Sequence, residues 1–233
     1  MLPVLNIAKE KVTVPILEKQ YTIRPYLVGE EKALFMAIES KDQSRLIEAV
    51  KNLIVACVEE KINIDDLSSF EIEYLFLQLR RMSVGEDIEI GISHKHNENC
   101  KHVQRVSLKI HDIQFKGSTE NRVVLDPSAN VGVLLRAPSL KSSMKKYNTE
   151  VEQIFGIVTN SIEAIYDSDS VYYTKDFSEK ELNDWVNHLN NEQVGKILSF
   201  IGNLPSMYYD IKYVCESCGE VEEQTLEGLS NFL

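Results

Sequence analysis

The sequence has no long apolar run, which excludes one broad class of protein. Among its 233 residues, no stretch approaches the roughly 18 consecutive apolar residues of a membrane-spanning helix. The longest apolar runs are short, as between Leu53 and Val58. The first residues, Met1 to Val4, lack a basic region followed by an apolar core, so we expect no secretory signal. We therefore expect folding in a reducing cytoplasm, without disulfide bonds.

Glycine and positive charge are also scarce. The ten glycines leave little material for phosphate-binding loops, and the glycine-rich and nucleophile motifs of nucleotide-binding and hydrolytic enzymes are absent. The formal net charge of -11 repels phosphate backbones. We therefore expect a protein that is not an enzyme and that binds neither membranes nor nucleic acid.

What the sequence does contain is an ordinary core-forming composition, with 43% hydrophobic residues. This length fits one large domain or two small ones. Alternation of polar and apolar residues predicts a β-hairpin over residues 11–28. Helical periodicity follows in three segments between residues 30 and 85, and a second alternating pattern predicts a hairpin over residues 88–108.

The same order of elements recurs after a polar joint at residues 116–120. A predicted hairpin over residues 122–135 precedes several helical stretches, and another predicted hairpin covers residues 209–226. One of the helical stretches has an apolar stripe that runs from Val151 to Ile165, which predicts a single helix. The two parts of the chain therefore share one sequence of elements.

This recurrence predicts an internal duplication. The two halves would be residues 1–115 and 121–233, on either side of the joint, and each would run hairpin, helices, hairpin. A Ser-x-x-Glu capping-box spacing marks the start of a helix in each half, at Ser68 and at Ser178. The predicted fold class is thus α+β, with two pseudo-repeated halves.

The turn of the final hairpin has the pattern of a zinc knuckle. In Cys215-x-x-Cys218-Gly219, two thiolates can face one tetrahedral ion while the glycine allows a tight turn. The turn of the matching hairpin, residues 94–102, contains Cys100 and three histidines. If the halves pack about a pseudo-twofold axis, the two turns meet and donate two ligands each. The sequence therefore predicts a zinc-ribbon-like site that joins the halves through a structural Zn²⁺.

Three ligands of this predicted site are cysteines and the fourth is a histidine. The cysteines are Cys100, Cys215 and Cys218. We favour His96 as the fourth ligand, with His102 as the alternative and His94 as a third candidate. A redox dithiol is disfavoured because such pairs lie at helix N-termini. A catalytic zinc is disfavoured because four protein ligands leave no open position.

Several segments resemble the T4-type bacteriophage baseplate protein family. They are ordered along the chain and together cover roughly residues 20–233. The segments are residues 25–32, 37–40, 70–76, 80–86 and 134–138, Trp185, and residues 215–219 and 226–232.

The resemblance implies a structural or assembly protein of the central hub of a contractile tail baseplate. Such a protein is either a hub subunit or a factor that helps the hub to assemble, with other hub proteins and the tail-length machinery as partners. It would form part of an oligomeric hub. The resemblance also implies a location in the host cytoplasm during assembly and in the tail baseplate of the virion. An alternative hypothesis is a zinc-ribbon module that docks on nucleic acid or a polymerase, which the acidic charge disfavours.

Overall fold

The computed structural model describes most of the chain as a mixture of helices and strands. The described residues are 6–93, 100–139 and 147–228. The α-helices are α1 (Val28–Glu39), α2 (Gln43–Cys57), α3 (Ser69–Ser83), α4 (Glu150–Ser161), α5 (Glu179–Val186) and α6 (Asn191–Gly202). None of the helices in these ranges is both long and apolar enough to cross a membrane.

The strands are all short and pair antiparallel. The first five are β1 (Glu10–Thr13), β2 (Gln20–Ile23), β3 (Asp87–Ser93), β4 (Val103–Lys109) and β5 (Gln114–Lys116). The others are β6 (Arg122–Asp126), β7 (Val131–Leu135), β8 (Ile162–Tyr166), β9 (Val171–Tyr173), β10 (Ser206–Val214) and β11 (Val221–Glu227). The α+β class predicted from the sequence is therefore confirmed at the level of its elements.

The internal contacts of the chain divide it into two compact units. Unit 1 consists of residues 1–64, 70–116 and 206–233. Unit 2 consists of residues 65–69 and 117–205. The chain thus enters unit 2 briefly at residues 65–69, enters it again after Lys116 and returns to unit 1 at Ser206.

Unit 1 contains α1, α2, nearly all of α3 and three small sheets. The sheets are the hairpin β1–β2, the hairpin β3–β4, and a three-stranded sheet in which β10 lies between β11 and β5. The hairpins predicted over residues 11–28, 88–108 and 209–226 are all confirmed. Period-two burial in β3, β4 and β11 places alternate side chains on an inner face.

Helix α3 supplies much of the core of unit 1. Its buried apolar residues recur at helical spacing, and Leu75 and Leu79 are fully buried. The helix starts directly after Ser68, as the capping pattern predicts. It ends two residues before Gly85, whose φ of 128° lies in the region that favours glycine. This helix end directs the chain into β3.

Unit 2 is a four-stranded sheet, in the order β6-β7-β8-β9, packed against helices. Its core cluster joins the sheet to the three helices α4, α5 and α6. The buried members are Leu125, Val133, Leu135, Val158, Ile162, Val186 and Ile197. The predicted capping box at Ser178 is confirmed, because the Ser178 hydroxyl accepts from the Glu181 N–H and the Glu181 carboxylate accepts from the Ser178 N–H.

The single helix predicted from Val151 to Ile165 is wrong in its second part. Helix α4 ends at Ser161, and the following residues form strand β8. In the sheet Ile162 lies opposite Leu135, and Ile165 lies opposite Val133. The spacing of Ile162 and Ile165 matches a helix face, but isoleucine is β-branched and also favours strands, and the pairing with β7 selects the strand.

The predicted halves and the compact units are different divisions of the chain. The hairpin β10–β11 falls in the predicted second half, residues 121–233, but groups with unit 1. Strands β8 and β9 have no counterpart among the described elements of residues 1–115. The duplication, its two halves and the joint at residues 116–120 stay predictions.

Candidate metal centre

The hairpin β10–β11 presents two cysteines on one tight turn. The ladder closes with Val214 opposite Val221. Beyond it, the Cys215 N–H donates to the Glu220 carbonyl over 2.9 Å, and the Gly219 N–H donates to the Cys215 carbonyl over 2.8 Å. Gly219 has a φ of 74°, which a residue without Cβ adopts at no steric cost. The backbone alone therefore holds the two cysteines of the knuckle together.

Cys100 joins these two residues from a distant part of the chain. Its sulfur lies 3.9 Å from that of Cys215. The three Sγ atoms of Cys100, Cys215 and Cys218 all lie within 4.8 Å of one another. A tetrahedral Zn²⁺ with Zn–S bonds of about 2.3 Å separates its sulfur ligands by about 3.8 Å. The cluster therefore has the dimensions of a thiolate metal site, and no disulfide bond links these cysteines.

Two buried glutamines hold the Cys100 segment beside the knuckle. The Gln104 side-chain oxygen accepts from the Glu216 N–H over 3.1 Å, so β4 contacts the knuckle turn directly. The Gln224 side-chain nitrogen donates to the Ser93 carbonyl over 2.8 Å, which joins β11 to β3. Because both side chains are buried, these bonds are shielded from competition with water.

A polar layer lies on the inner face of the same hairpin. The Glu222 side chain is only 2% exposed, and the Gln224 amide reaches both its carboxylate and the Tyr213 hydroxyl over 3.4 Å. Burial, and then the charge of Glu222, raise the pKa of Tyr213 above its ordinary value. The tyrosine therefore stays neutral and keeps its hydroxyl proton within this layer.

The metal-free thiol of Cys218 is protonated at neutral pH. The Glu220 backbone lowers its pKa, but desolvation and the nearby side chains of Cys215 and Cys100 raise it, and the result is about 11. A divalent cation reverses this balance, because it stabilises thiolates directly. A cluster of three sulfurs thus suits a cation such as Zn²⁺ and is electrostatically unfavourable as three bare thiolates.

The structure brings together the three cysteines that the sequence identifies. His96 and His94 lie outside the described residues, so the fourth ligand stays a prediction. His102 lies within them, and it is not one of the clustered donors. The donor set of three thiols fits a structural zinc, for which Cys₃His is a common complement.

Cys57, unlike the other three cysteines, lies outside the cluster. It is buried at the end of α2, where its sulfur lies 3.7 Å from the Glu30 carboxylate. Burial, and then the charge of Glu30, raise the pKa of Cys57 to about 12. Its thiol is therefore inert, as its place on an apolar helix face predicts.

Sequence reasoning missed the supporting glutamines. Gln104 and Gln224 occupy inward positions of their strands, where apolar residues such as Leu108 and Leu226 also lie. A glutamine at an inward position of a strand, close to a cysteine-bearing turn, is the signal that could have identified them.

Comparison with known proteins shows the family to which the sequence belongs. The sequence matches the family described as T4 bacteriophage base plate protein over residues 7–233, nearly the whole chain. The chain belongs to this baseplate protein family. No curated protein and no solved structure gives a significant match.

Membership indicates a baseplate protein of a phage tail, which associates with other baseplate proteins. It favours a structural role over an enzymatic one.

Proposed function

We propose that this baseplate protein is a structural or assembly component of the central hub, and that a structural Zn²⁺ holds unit 1 in its folded form. The proposed ligands are the three cysteines and one histidine, Cys100, Cys215, Cys218 and His96. The observation that carries the proposal is the sulfur cluster itself, in which Cys100 meets a residue 115 positions away along the chain.

The chemistry of the donors supports a structural role for the metal. Three thiolates and an imidazole complete four-coordinate zinc and leave no position for water or substrate. Such a site stabilises the fold by the free energy of metal binding, because the unfolded chain does not bring the ligands together. Strands β3, β4, β10 and β11 would be the elements held in place.

The place in the hub is supported by the family and by the surface of the protein. A net charge of -11 suits binding to other proteins better than binding to DNA inside a tail. Several large apolar side chains are exposed on α1, among them Phe35 and Met36, which are 56% and 62% exposed. Exposed apolar residues of this kind are typical of surfaces that other subunits cover.

Metal content tests the zinc site directly. We expect about one zinc per purified chain by inductively coupled plasma mass spectrometry, and a lower melting temperature after chelation. Cys218→Ser should lose the metal, whereas Cys57→Ser should retain it because Cys57 lies outside the cluster. An unchanged melting curve after verified metal removal would contradict a stabilising role.

The fourth ligand needs a separate pair of variants. His96→Ala should weaken zinc binding by more than about 100-fold, beyond the effect of changes in supporting residues. His102→Ala is the matched control and should leave binding unchanged. If His102→Ala weakened zinc binding and His96→Ala did not, His102 would be the fourth ligand, and the three cysteine ligands would be unaffected.

Mass spectrometry of purified tails tests the place in the hub. A hub subunit is present in finished tails at a fixed ratio to other baseplate proteins. An assembly factor is absent from finished tails, and its loss leaves the hub unassembled. A native-mass measurement of the free protein gives its oligomeric state. Normal hubs in a deletion mutant would contradict both forms of the proposal.

A further inference from the structure

The sheet of unit 2 has an open edge at β9. In the order β6-β7-β8-β9, the outer side of β9 is paired with no strand of the described residues. At the preceding turn the Asp167 N–H donates to the Ser170 carbonyl over 3.1 Å. Hydrogen-bonded pairs alternate along an antiparallel ladder, so the register directs the N–H and C=O groups of Val171 and Tyr173 outward.

An apolar groove of about 490 Å³ adjoins this edge, between the sheet and α5. Its apolar lining includes Val131, Ile165, Tyr172, Phe177, Leu182 and Trp185. Tyr172 and Phe177 are 41% and 42% exposed, so the groove is open to a partner. The Tyr172 hydroxyl donates to the Asp167 carboxylate over 2.9 Å, which fixes the ring at the rim of the groove.

The surroundings of the groove are strongly acidic. Seven acidic residues and only two basic residues lie between positions 163 and 184. Asp167 and Glu181 are part of the groove lining. The Asp169 N–H and the Tyr172 hydroxyl lower the pKa of Asp167, and the Ser178 hydroxyl and N–H lower that of Glu181. Both carboxylates are therefore charged at neutral pH, and the groove favours a basic partner.

Aromatic rings of this sheet already contact cations within the chain. The Lys175 ammonium lies 5.4 Å from the centroid of the Tyr173 ring. The Arg122 guanidinium lies 4.2 Å from that of Tyr166. Cations placed over aromatic rings at such distances are attracted to them. The exposed ring of Tyr172 at the rim of the groove can receive a lysine or arginine side chain of a partner in the same way.

We propose that β9 and the adjoining groove form a docking site for an extended partner segment in which basic and apolar residues alternate. The segment adds a strand to the free edge, so its backbone pairs with Val171 and Tyr173. Its apolar side chains enter the groove, and its basic side chains face the acidic surroundings. The site lies wholly within unit 2 and is independent of the metal.

The single tryptophan of the chain makes the site observable. Trp185 lines the groove, so its fluorescence reports on occupancy. The full chain is titrated with a short synthetic peptide in which lysine alternates with valine. We expect a saturable change in emission that weakens as salt screens the charges. A peptide with glutamate in place of lysine should cause no change, and an equal response to both peptides would overturn the proposal.

Two variants separate backbone pairing from the groove. Val171→Pro removes an outward N–H without removing a hydrogen bond to β8. Phe177→Ser removes an apolar wall of the groove. Each should weaken peptide binding by about tenfold or more, equivalent to about 1.4 kcal/mol. Phe35→Ser, an exposed phenylalanine of α1 in unit 1, is the matched control. Unchanged affinity in both groove variants, with folding checked by circular dichroism, would contradict the proposal.

A second copy of the chain is the competing occupant. Acidic surfaces on two copies repel each other, so we expect no association through β9 in sedimentation experiments. A dimer that Val171→Pro dissociates would overturn the proposed basic partner and assign this edge to self-association.

Discussion

The two units of this baseplate protein are built from the sequence in different ways. Unit 1 gathers three separate stretches of sequence, whereas unit 2 is formed almost entirely by residues 117–205. In unit 1 the thiol of Cys215, in the last hairpin, lies 3.9 Å from that of Cys100, which is more than a hundred residues earlier in the chain. In unit 2 a sheet and its following helices share one apolar cluster. Closing a longer loop costs more chain entropy, so a metal has more to contribute in unit 1.

This difference indicates which part of the chain gains least stability from apolar burial. Helix α3 gives unit 1 a substantial core, but the strands of β10–β11 carry charged and polar residues at many outward positions. A long charged hairpin gains little from packing on one face alone. The zinc proposed at the cysteine cluster would compensate for this weakness.

Breaking the thiol cluster should have the largest effect, and only in unit 1. In Cys215→Ser, we expect hydrogen exchange in β10 and β11 to become much faster, while exchange in β7 and β8 of unit 2 stays unchanged. Structural Zn²⁺ contributes on the order of 10 kcal/mol of binding free energy in small zinc-binding peptides. Cys57→Ser is the control, and equal loss of protection in both units would remove the distinction between them.

Truncating a buried isoleucine in the core of unit 2 should lower the free energy of unfolding by a smaller amount. Ile197 is fully buried in α6, so Ile197→Ala should lower the free energy of unfolding by about 3 kcal/mol. Leu198, its neighbour, is 37% exposed, and Leu198→Ala should cost less than about 1 kcal/mol. Urea unfolding followed by Trp185 fluorescence measures both. A chelator that destabilised unit 2 as much as Ile197→Ala would contradict the comparison.

An ion pair in unit 1 should give the smallest effect, with a defined pH dependence. Arg24 binds the Glu30 carboxylate with both guanidinium nitrogens, over 2.7 and 3.0 Å, and these bonds lower the pKa of Glu30. A lowered folded-state pKa stabilises the fold above the ordinary pKa, and this stabilisation is lost as the pH falls through the lowered value. Glu30→Gln should therefore cost about 1–2 kcal/mol at pH 7 and progressively less in acid.

Urea midpoints measured between about pH 6 and pH 3 test this dependence. Differences between the protein and the variant cancel any acid loss of metal that both share. Glu39→Gln, at the exposed end of the same helix, is the control and should show a small difference at every pH. If the difference in urea midpoint between Glu30→Gln and the parent protein grew as the pH fell, the predicted direction of the pH dependence would be wrong.

Much of the local structure could be predicted from the sequence. Period-two alternation identified the hairpins β1–β2, β3–β4 and β10–β11, because strands of a half-buried sheet alternate polar and apolar residues. Capping residues located the starts of α3 and α5. The strand β8 escaped prediction because Ile162 and Ile165 also match a helical period, and only pairing with β7 distinguishes the two.

The cysteines of the candidate site were predictable from the sequence, but the side chains that hold their segments side by side were not. A cysteine spacing with a following glycine identified the knuckle, and the polar turn of the other hairpin identified Cys100. Nothing in the spacing of Gln104 or Gln224 shows which carbonyl or N–H each would meet. These contacts exist because two hairpins, formed separately, pack side by side.

The sequence by itself determined the family, the hairpins and the identity of the clustered cysteines, since periodicity and ligand spacing are local properties of a chain. Only the tertiary structure decided that the C-terminal hairpin completes unit 1, that β8 and β9 extend the sheet of unit 2, and that an acidic aromatic groove flanks an open strand edge. Those features depend on which distant segments meet, and local residue patterns do not specify such pairings.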